Sequence, residues 1–236
     1  MTRPPHPDRP LLFLDYDGTL APIVDDPAAA RPHPAIPALL ARLHARYPVV
    51  VVTGRHLDDL TGFFAPAPSP IRAVGLHGTQ EGRLGETPRH TLSDEAAAAL
   101  AALREKVPAL DGLHVEDKGP AFAVHYRAVV DEAAALHRLR AWADGVPDAL
   151  EPVWGKKVVE LRPVGTSKGV AVRRIAAEHP DRTPVYLGDD VTDEDAFAVL
   201  DAPAVTVKVG EGETAARYRL PDVDAVVDYL RGFLDG

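Results

Sequence analysis

Residues 12–23 read LFLDYDGTLAPI, and the order of chemistry in this stretch decides the fold. An apolar run ends in Asp15 and Asp17, one residue apart, and the chain turns at Gly18. Side chains two apart on a strand leave it on the same side, so the two carboxylates start out facing one way. Held together without a partner they repel, and each raises the other's pKa. Asp-Gly also favours a hairpin turn, but the Leu20-Ala21-Pro22 that follows makes a poor return strand. The pair reads instead as polar groups set at the carboxyl end of a buried strand, where open α/β sheets bind their ligands.

Working outward, the rest of the chain supplies such a sheet. Ile36, Leu39, Leu40 and Leu43 recur at helical spacing and predict a helix stopped by Pro48, after a proline-rich extended connection over Pro22–Pro37. Val49–Val52 is a continuous β-branched run of the sort buried on both faces of a parallel sheet. A short helix over Leu57–Phe64, a strand over Ile71–Leu76 and a hairpin through Gly78–Leu84 follow. From Ser167 helices and strands alternate again. A helix runs to about Glu178, then strand Pro184–Leu187, helix Asp193–Leu200, strand Ala204–Val209 and a last helix over Val223–Leu234. This alternation predicts βαβ units and a parallel sheet. Between the two halves, helices opened by Ser93 and Asp131 are each followed by two strand-like runs, LHVEDK and AFAVHYR, then DALEPVW and KKVVELRP. The expected fold class is α/β: a Rossmann-like parallel-sheet core of residues 1–91 and 163–236. Into it residues 92–162 insert a smaller α+β domain, an antiparallel sheet with both helices on one face.

Composition bounds the function. The 236 residues carry a net charge of −9, which argues against nucleic-acid or anionic-membrane partners but leaves room for a small anionic substrate beside a local cation. The absence of cysteine excludes disulfides, zinc-thiolate sites and thiol nucleophiles. MTRPPHPDRP lacks the apolar core of a secretory signal and no apolar run reaches membrane length, so a cytoplasmic protein is expected.

Four segments place polar groups at the expected strand ends: Asp15 and Asp17, then Thr53 with Gly54 in VVVVTGR, Lys168, and Asp189 with Asp190 after PVYLG. Thr192 suits a helix cap and residues 193–195 suit a helix N-terminus, which explains those acids by local structure. Lys168 does the opposite, since a cation in the first helical turn opposes the helix dipole. Such local rule-breaking is expected at functional sites. Clustered carboxylates without a His or Cys cluster are hard oxygen ligands suited to Mg²⁺. A lysine and a hydroxyl beside them would hold phosphoryl oxygens, and an aspartate can itself be the nucleophile. The residues alone thus predict a Mg²⁺-dependent phosphoryl-transfer site.

DYDGTL, VVTGR, Lys168 and GDDVTD, in that order and across nearly the whole chain, resemble the four motifs of the haloacid dehalogenase-like phosphatase superfamily. The resemblance implies Asp15 as nucleophile, Asp17 as the acid that protonates the leaving oxygen and then activates water, and Thr53 and Lys168 as phosphate holders. It also implies Mg²⁺ bound by the Asp15 carboxylate, the Asp17 backbone carbonyl and Asp189, with Asp193 binding the metal or supporting it or Lys168. The insert looks like an α/β cap of the second cap class, ordered αββαββ. More narrowly, DYDGTLAPI, GLHG, VEDKGPAFAVHYR, KKVVELRP and GDDVTDEDAF resemble the trehalose-6-phosphate phosphatases. That likeness implies that Glu116, Lys118 and Glu160 grip sugar hydroxyls, with Gly54, and more weakly Arg55, His77 and Arg127, as further substrate contacts. It also implies a monomer acting on a small sugar phosphate in trehalose biosynthesis, and the start of the chain just before the first strand suggests no fused synthase domain. The alternatives are a capped phosphatase for sucrose phosphate or mannosyl-phosphoglycerate, a phosphomutase, and a sugar-phosphate-binding regulator without turnover.

Overall fold

The computed structural model describes residues 3–24, 26, 29–64, 70–90 and 92–235. The extended connection read over Pro22–Pro37 falls in part on Asp25, Pro27 and Ala28, outside the described residues, as does Thr91 at the expected domain boundary. The chain divides into two compact units, Met1–Arg89 with Ser167–Gly236, and His90–Thr166. The expected insert, 92–162, is shorter by a few residues at each end.

In the first unit, β1 (Pro10–Leu14), β2 (Val49–Val52) and β3 (Arg72–Gly75) run parallel, as do β10 (Thr183–Gly188), β11 (Val205–Val209) and β12 (Tyr218–Leu220). The sheet order is β12-β11-β10-β1-β2-β3-β4-β5, with β4 (Gln80–Arg83) antiparallel to β3 and β5 (Arg89–His90) at the edge. β1 is central because it is apolar on both faces, and all five of its residues are buried. Chain order departs in opposite directions on its two sides, β2 on one and β10 on the other. The carboxyl end of β1 is therefore the topological switch point.

Alternation sorts the side chains between two apolar layers. Leu12, Leu14, Val49, Val51, Val185 and Leu187 pack with α1 (Ile36–His44), α2 (Leu57–Phe64) and α7 (Val223–Gly232), through Ile36, Leu60 and Leu230 among others. Leu11, Phe13, Val50, Val52 and Tyr186 pack on the other face with Val172 and Ile175 of α5 (Lys168–Ala177) and Phe197 of α6 (Val191–Val199). Asp15 continues the parity of Leu11 and Phe13, which directs it to the side of α5 and α6. Strand β12 was not foreseen from the sequence. Its three half-buried residues, with an arginine in the middle, carry no apolar run, and β11 supplies its register.

The second unit contains α3 (Asp94–Glu105), β6 (His114–Asp117), β7 (Phe122–His125), α4 (Glu132–Ala143), β8 (Leu150–Gly155) and β9 (Val158–Pro163). Ser93 and Asp131 cap the two helices by accepting from the Ala96 and Ala134 amides. The four strands pair antiparallel in the order β6-β7-β9-β8. Phe122, Val124, Val159 and Leu161 pack with Leu100 and Leu103 of α3 and Leu139 of α4, so both helices cover one face. The opposite face carries Glu116, Ala123, Glu160 and Val153 in one cross-strand row. No helix among the described residues is long and apolar enough to cross a membrane.

Candidate active site

Three adjacent strands deliver the candidate groups: β1 delivers Asp15, β10 delivers Asp189, and β2 delivers Thr53. Asp15 stays attached to the sheet, its amide donating to the Leu187 carbonyl at 3.0 Å. Lys168 opens α5 directly after its cap Ser167, and its ammonium donates to Asp15 Oδ1 at 2.7 Å and to Asp193 Oδ1 at 2.8 Å. The three side chains are at most 4% exposed. This explains a cation in the first helical turn, because two buried carboxylates outweigh the helix dipole that it opposes. Burial works against the charge of Lys168, but Asp15 and Asp193 hold its pKa well above the ordinary lysine range. Burial also pushes the Asp15 carboxyl well above the usual carboxylate range, against the pull of Lys168 and with the help of Asp193 and Asp189.

Asp193 supports this arrangement. Its Oδ1 also accepts from the buried Tyr186 hydroxyl at 2.6 Å, and its Oδ2 accepts from the Asp189 and Asp190 amides at 3.0 Å each. Both oxygens are thus engaged within the protein. The cap of α6 is Asp190, in a capping box with Asp193, so Thr192 lies inside the first turn rather than at its cap. Asp190 therefore takes the capping role that the sequence suggests for Thr192.

Carboxylate oxygens of Asp15, Asp189 and Asp193 come within 4.8 Å of one another. Burial first, and then the charges of Asp193 and Asp190, push the Asp189 carboxyl up to about 6. One lysine ammonium does not neutralise three carboxylates. A hard divalent cation fits the remaining demand, and with Asp193 engaged elsewhere Asp15 and Asp189 are left to hold it. Gly18 makes room for this approach. It sits at φ +67°, and a Cβ there would stand 2.0 Å from Asp189 Oδ2. Lys208, a buried lysine in the otherwise uncharged strand VTVKV, donates to the Asp189 carbonyl. Neither Lys208 nor Tyr186 was singled out from sequence. A polar atom within an apolar strand run was the signal available for both.

Asp17 is paired separately. Arg55 donates through Nε to its Oδ2 at 2.7 Å and through Nη2 to its Oδ1 at 2.6 Å. The two aspartates of the opening motif thus each have their own cation. Thr53 is fully buried, and its Oγ1 accepts from the Arg55 amide at 3.1 Å. Gly54 admits the His77 ring, for a Cβ there would lie 2.6 Å from His77 Cε1. Leu76 and His77 lie in the left-handed region at φ 47° and 54°. Each costs roughly 1–2 kcal/mol at a non-glycine residue, and such strain concentrates at functional sites.

In the second unit Lys118 donates to Glu160 at 2.6 Å, both side chains largely buried, and Glu116 pairs with His125 at 2.9 Å. His125 was not foreseen. It shares a face with Ala123, the cross-strand partner of Glu116, by simple alternation along β7. Arg127 follows β7 in an exposed position.

A family model described as trehalose-phosphatase matches residues 13–224. A trehalose-phosphate phosphatase from Mycolicibacterium paratuberculosis is 38% identical over 96% of this chain and 62% of its own length. The trehalose-6-phosphate phosphatase of Escherichia coli is 35% identical over 92% of this chain and 84% of its own. The chain therefore spans less than two thirds of the mycobacterial relative. The solved structure of the Aspergillus fumigatus trehalose-6-phosphate phosphatase superposes with a TM-score of 0.75 at 26% identity, covering 97% of this chain and 93% of that one.

Proposed function

The chain belongs to the trehalose-phosphatase family, and from that premise we propose that it hydrolyses trehalose 6-phosphate to trehalose and phosphate with Mg²⁺. The observation that carries the reading is the buried Asp15–Lys168–Asp193 arrangement with Asp189 beside it, at the switch point of a parallel sheet. Asp15 attacks phosphorus, so that an Oδ–P bond forms as the bond from phosphorus to the sugar oxygen breaks. Asp17 gives a proton to that departing oxygen. Water then attacks the aspartyl-phosphate, Asp17 takes the proton, and the Asp15 carboxylate is regenerated. Lys168 favours the ionised form of Asp15 and stabilises charge on the phosphoryl oxygens, which Thr53 also contacts. When bound, Mg²⁺ neutralises the phosphoryl group and favours in-line attack; Asp15, Asp189 and the Asp17 carbonyl would hold it.

The core groups recognise only phosphate and metal, so selectivity has to come from elsewhere. In this reading the inserted unit is a cap, and Glu116, Lys118 and Glu160 on its polar sheet face pair with sugar hydroxyls. Hydrogen-bonding groups of this kind reject substrates that leave them unpaired. The protein acts as a cytoplasmic monomer. The test is phosphate release from trehalose 6-phosphate, sucrose 6-phosphate, mannosyl-phosphoglycerate and glucose 6-phosphate, with Mg²⁺ and with chelator. The disaccharide phosphate of trehalose should be hydrolysed fastest and only with metal; a faster rate on another sugar phosphate overturns the assignment.

A further inference from the structure

We infer that Arg55 is a positioning residue for Asp17: it holds the carboxylate that serves the leaving oxygen, and does not grip the substrate. The inference rests on the phosphatase reading above and reassigns a residue that sequence reading placed among the substrate contacts. Two of its N–H groups meet the two Asp17 oxygens at 2.7 and 2.6 Å, a fork-on-fork pairing that fixes the plane of a carboxylate as well as its distance. Asp17 needs such help, because it is 34% exposed, while the arginine is only 12% exposed.

The arginine is itself held from three sides. Its guanidinium lies over the Tyr16 ring, 5.4 Å from the centroid. That ring stacks on Phe63 with an interplanar angle of 4°, and its hydroxyl donates to the buried Ala30 carbonyl at 2.8 Å. The Arg55 amide donates to Thr53 Oγ1, and its carbonyl accepts from the Leu76 amide at 3.0 Å. Leu76 and His77 adopt their unfavourable left-handed conformations at the same place. A side chain that reaches out for a substrate needs freedom, whereas this guanidinium is held between the Tyr16 ring and the Asp17 carboxylate, on a backbone anchored at its amide and carbonyl. Tyr16, between the two aspartates in the sequence, thus serves as the platform for the cation that orients the second of them.

The chemistry gives a specific consequence. When Asp15 displaces the sugar, the electron pair of the breaking P–O bond goes to an alkoxide oxygen that takes the proton carried on one oxygen of Asp17, and the Arg55 fork closes on the carboxylate that the transfer leaves behind. When it displaces dinitrophenol, the leaving oxygen departs as a stable anion and needs none. The ratio kcat/KM reports steps only up to departure of the leaving group, so the second step does not blur the comparison. For Arg55→Gln, kcat/KM for the sugar phosphate should fall by about 10²-fold, a usual contribution of positioned acid catalysis. For 2,4-dinitrophenyl phosphate the loss should be about tenfold or less. Arg55→Lys keeps the charge without the fork and should fall between, with the same inequality between substrates. Equal losses on the two esters would assign Arg55 to the phosphate and overturn the inference, as would full activity in both variants. A wild-type enzyme inactive on every phosphate ester would instead overturn the phosphatase reading on which the inference stands.

Discussion

Replacing Lys168 by methionine would leave two buried carboxylates without their cation, and the structure sets the size of the effect. The ammonium lies 2.7 Å from Asp15 and 2.8 Å from Asp193, all three side chains being almost fully buried. At an effective dielectric constant of about 20, each contact is worth about 6 kcal/mol of Coulomb energy. Taking the ammonium out of water offsets several kcal/mol of that, and removing one partner of a buried pair costs about 3–5 kcal/mol net. That is a large part of the ~5–15 kcal/mol that ordinarily separates folded from unfolded protein. Urea unfolding with chelator at neutral pH should therefore place the variant's midpoint about 1–2 M below wild type. The gap should depend on pH with a fixed sign. Burial raises the Asp15 pKa and Lys168 opposes the rise, so without the lysine the carboxyl rises further. A raised carboxyl loses stability for the fold as pH increases through it, so the gap widens as pH rises and narrows as pH falls toward the ordinary carboxylate range. A midpoint within about 0.3 M of wild type, independent of pH, would show that Lys168 is an ordinary solvated lysine and refute the reasoning.

Other perturbations test neighbouring parts of the site. Gly18→Ala puts a methyl group into the Asp189 carboxylate at a positive φ, and Mg²⁺ affinity measured by calorimetry should fall about 10–100-fold. With the Asp189 carboxyl pushed up to about 6, its ionisation costs stability as pH rises from about 4 through 6. Saturating Mg²⁺ should therefore raise the melting temperature more at about pH 7.5 than at about pH 5, and equal increments would contradict metal binding by this carboxylate. Glu160→Ala removes the partner of Lys118 and should raise KM for trehalose 6-phosphate at least about tenfold while changing aryl phosphate turnover little; equal effects on both would remove Glu160 from sugar recognition.

The parallel-sheet core was legible in the sequence because β1, β2 and β10 carry apolar runs and each is followed at once by a polar residue, Asp15, Thr53 or Asp189. Lys168 was legible through its conflict with the dipole of its own helix. Strand β12 was not, since an edge strand of three residues takes its register from its neighbour and leaves no periodicity to read. Thr192 looked like the cap of α6 because threonine is a good cap in isolation. The helix begins earlier because Asp193 can reach back to the amides of Asp189 and Asp190, a tertiary preference fixed by Lys168 and Tyr186. Pairing was the least visible level. The sequence places Arg55 beside Thr53, and only the fold brings it to Asp17, thirty-eight residues away along the chain. The same holds for Glu116 with His125 and for Lys118 with Glu160, where strand register decides the partner.

The most direct test of the central claim is phosphate release from trehalose 6-phosphate by the wild-type protein and by Asp15→Asn, each with Mg²⁺ and with chelator. Wild type should release phosphate only with metal, and the variant should release none while keeping a folded circular-dichroism spectrum. Turnover retained by the folded variant would contradict the assignment of Asp15 as the attacking group.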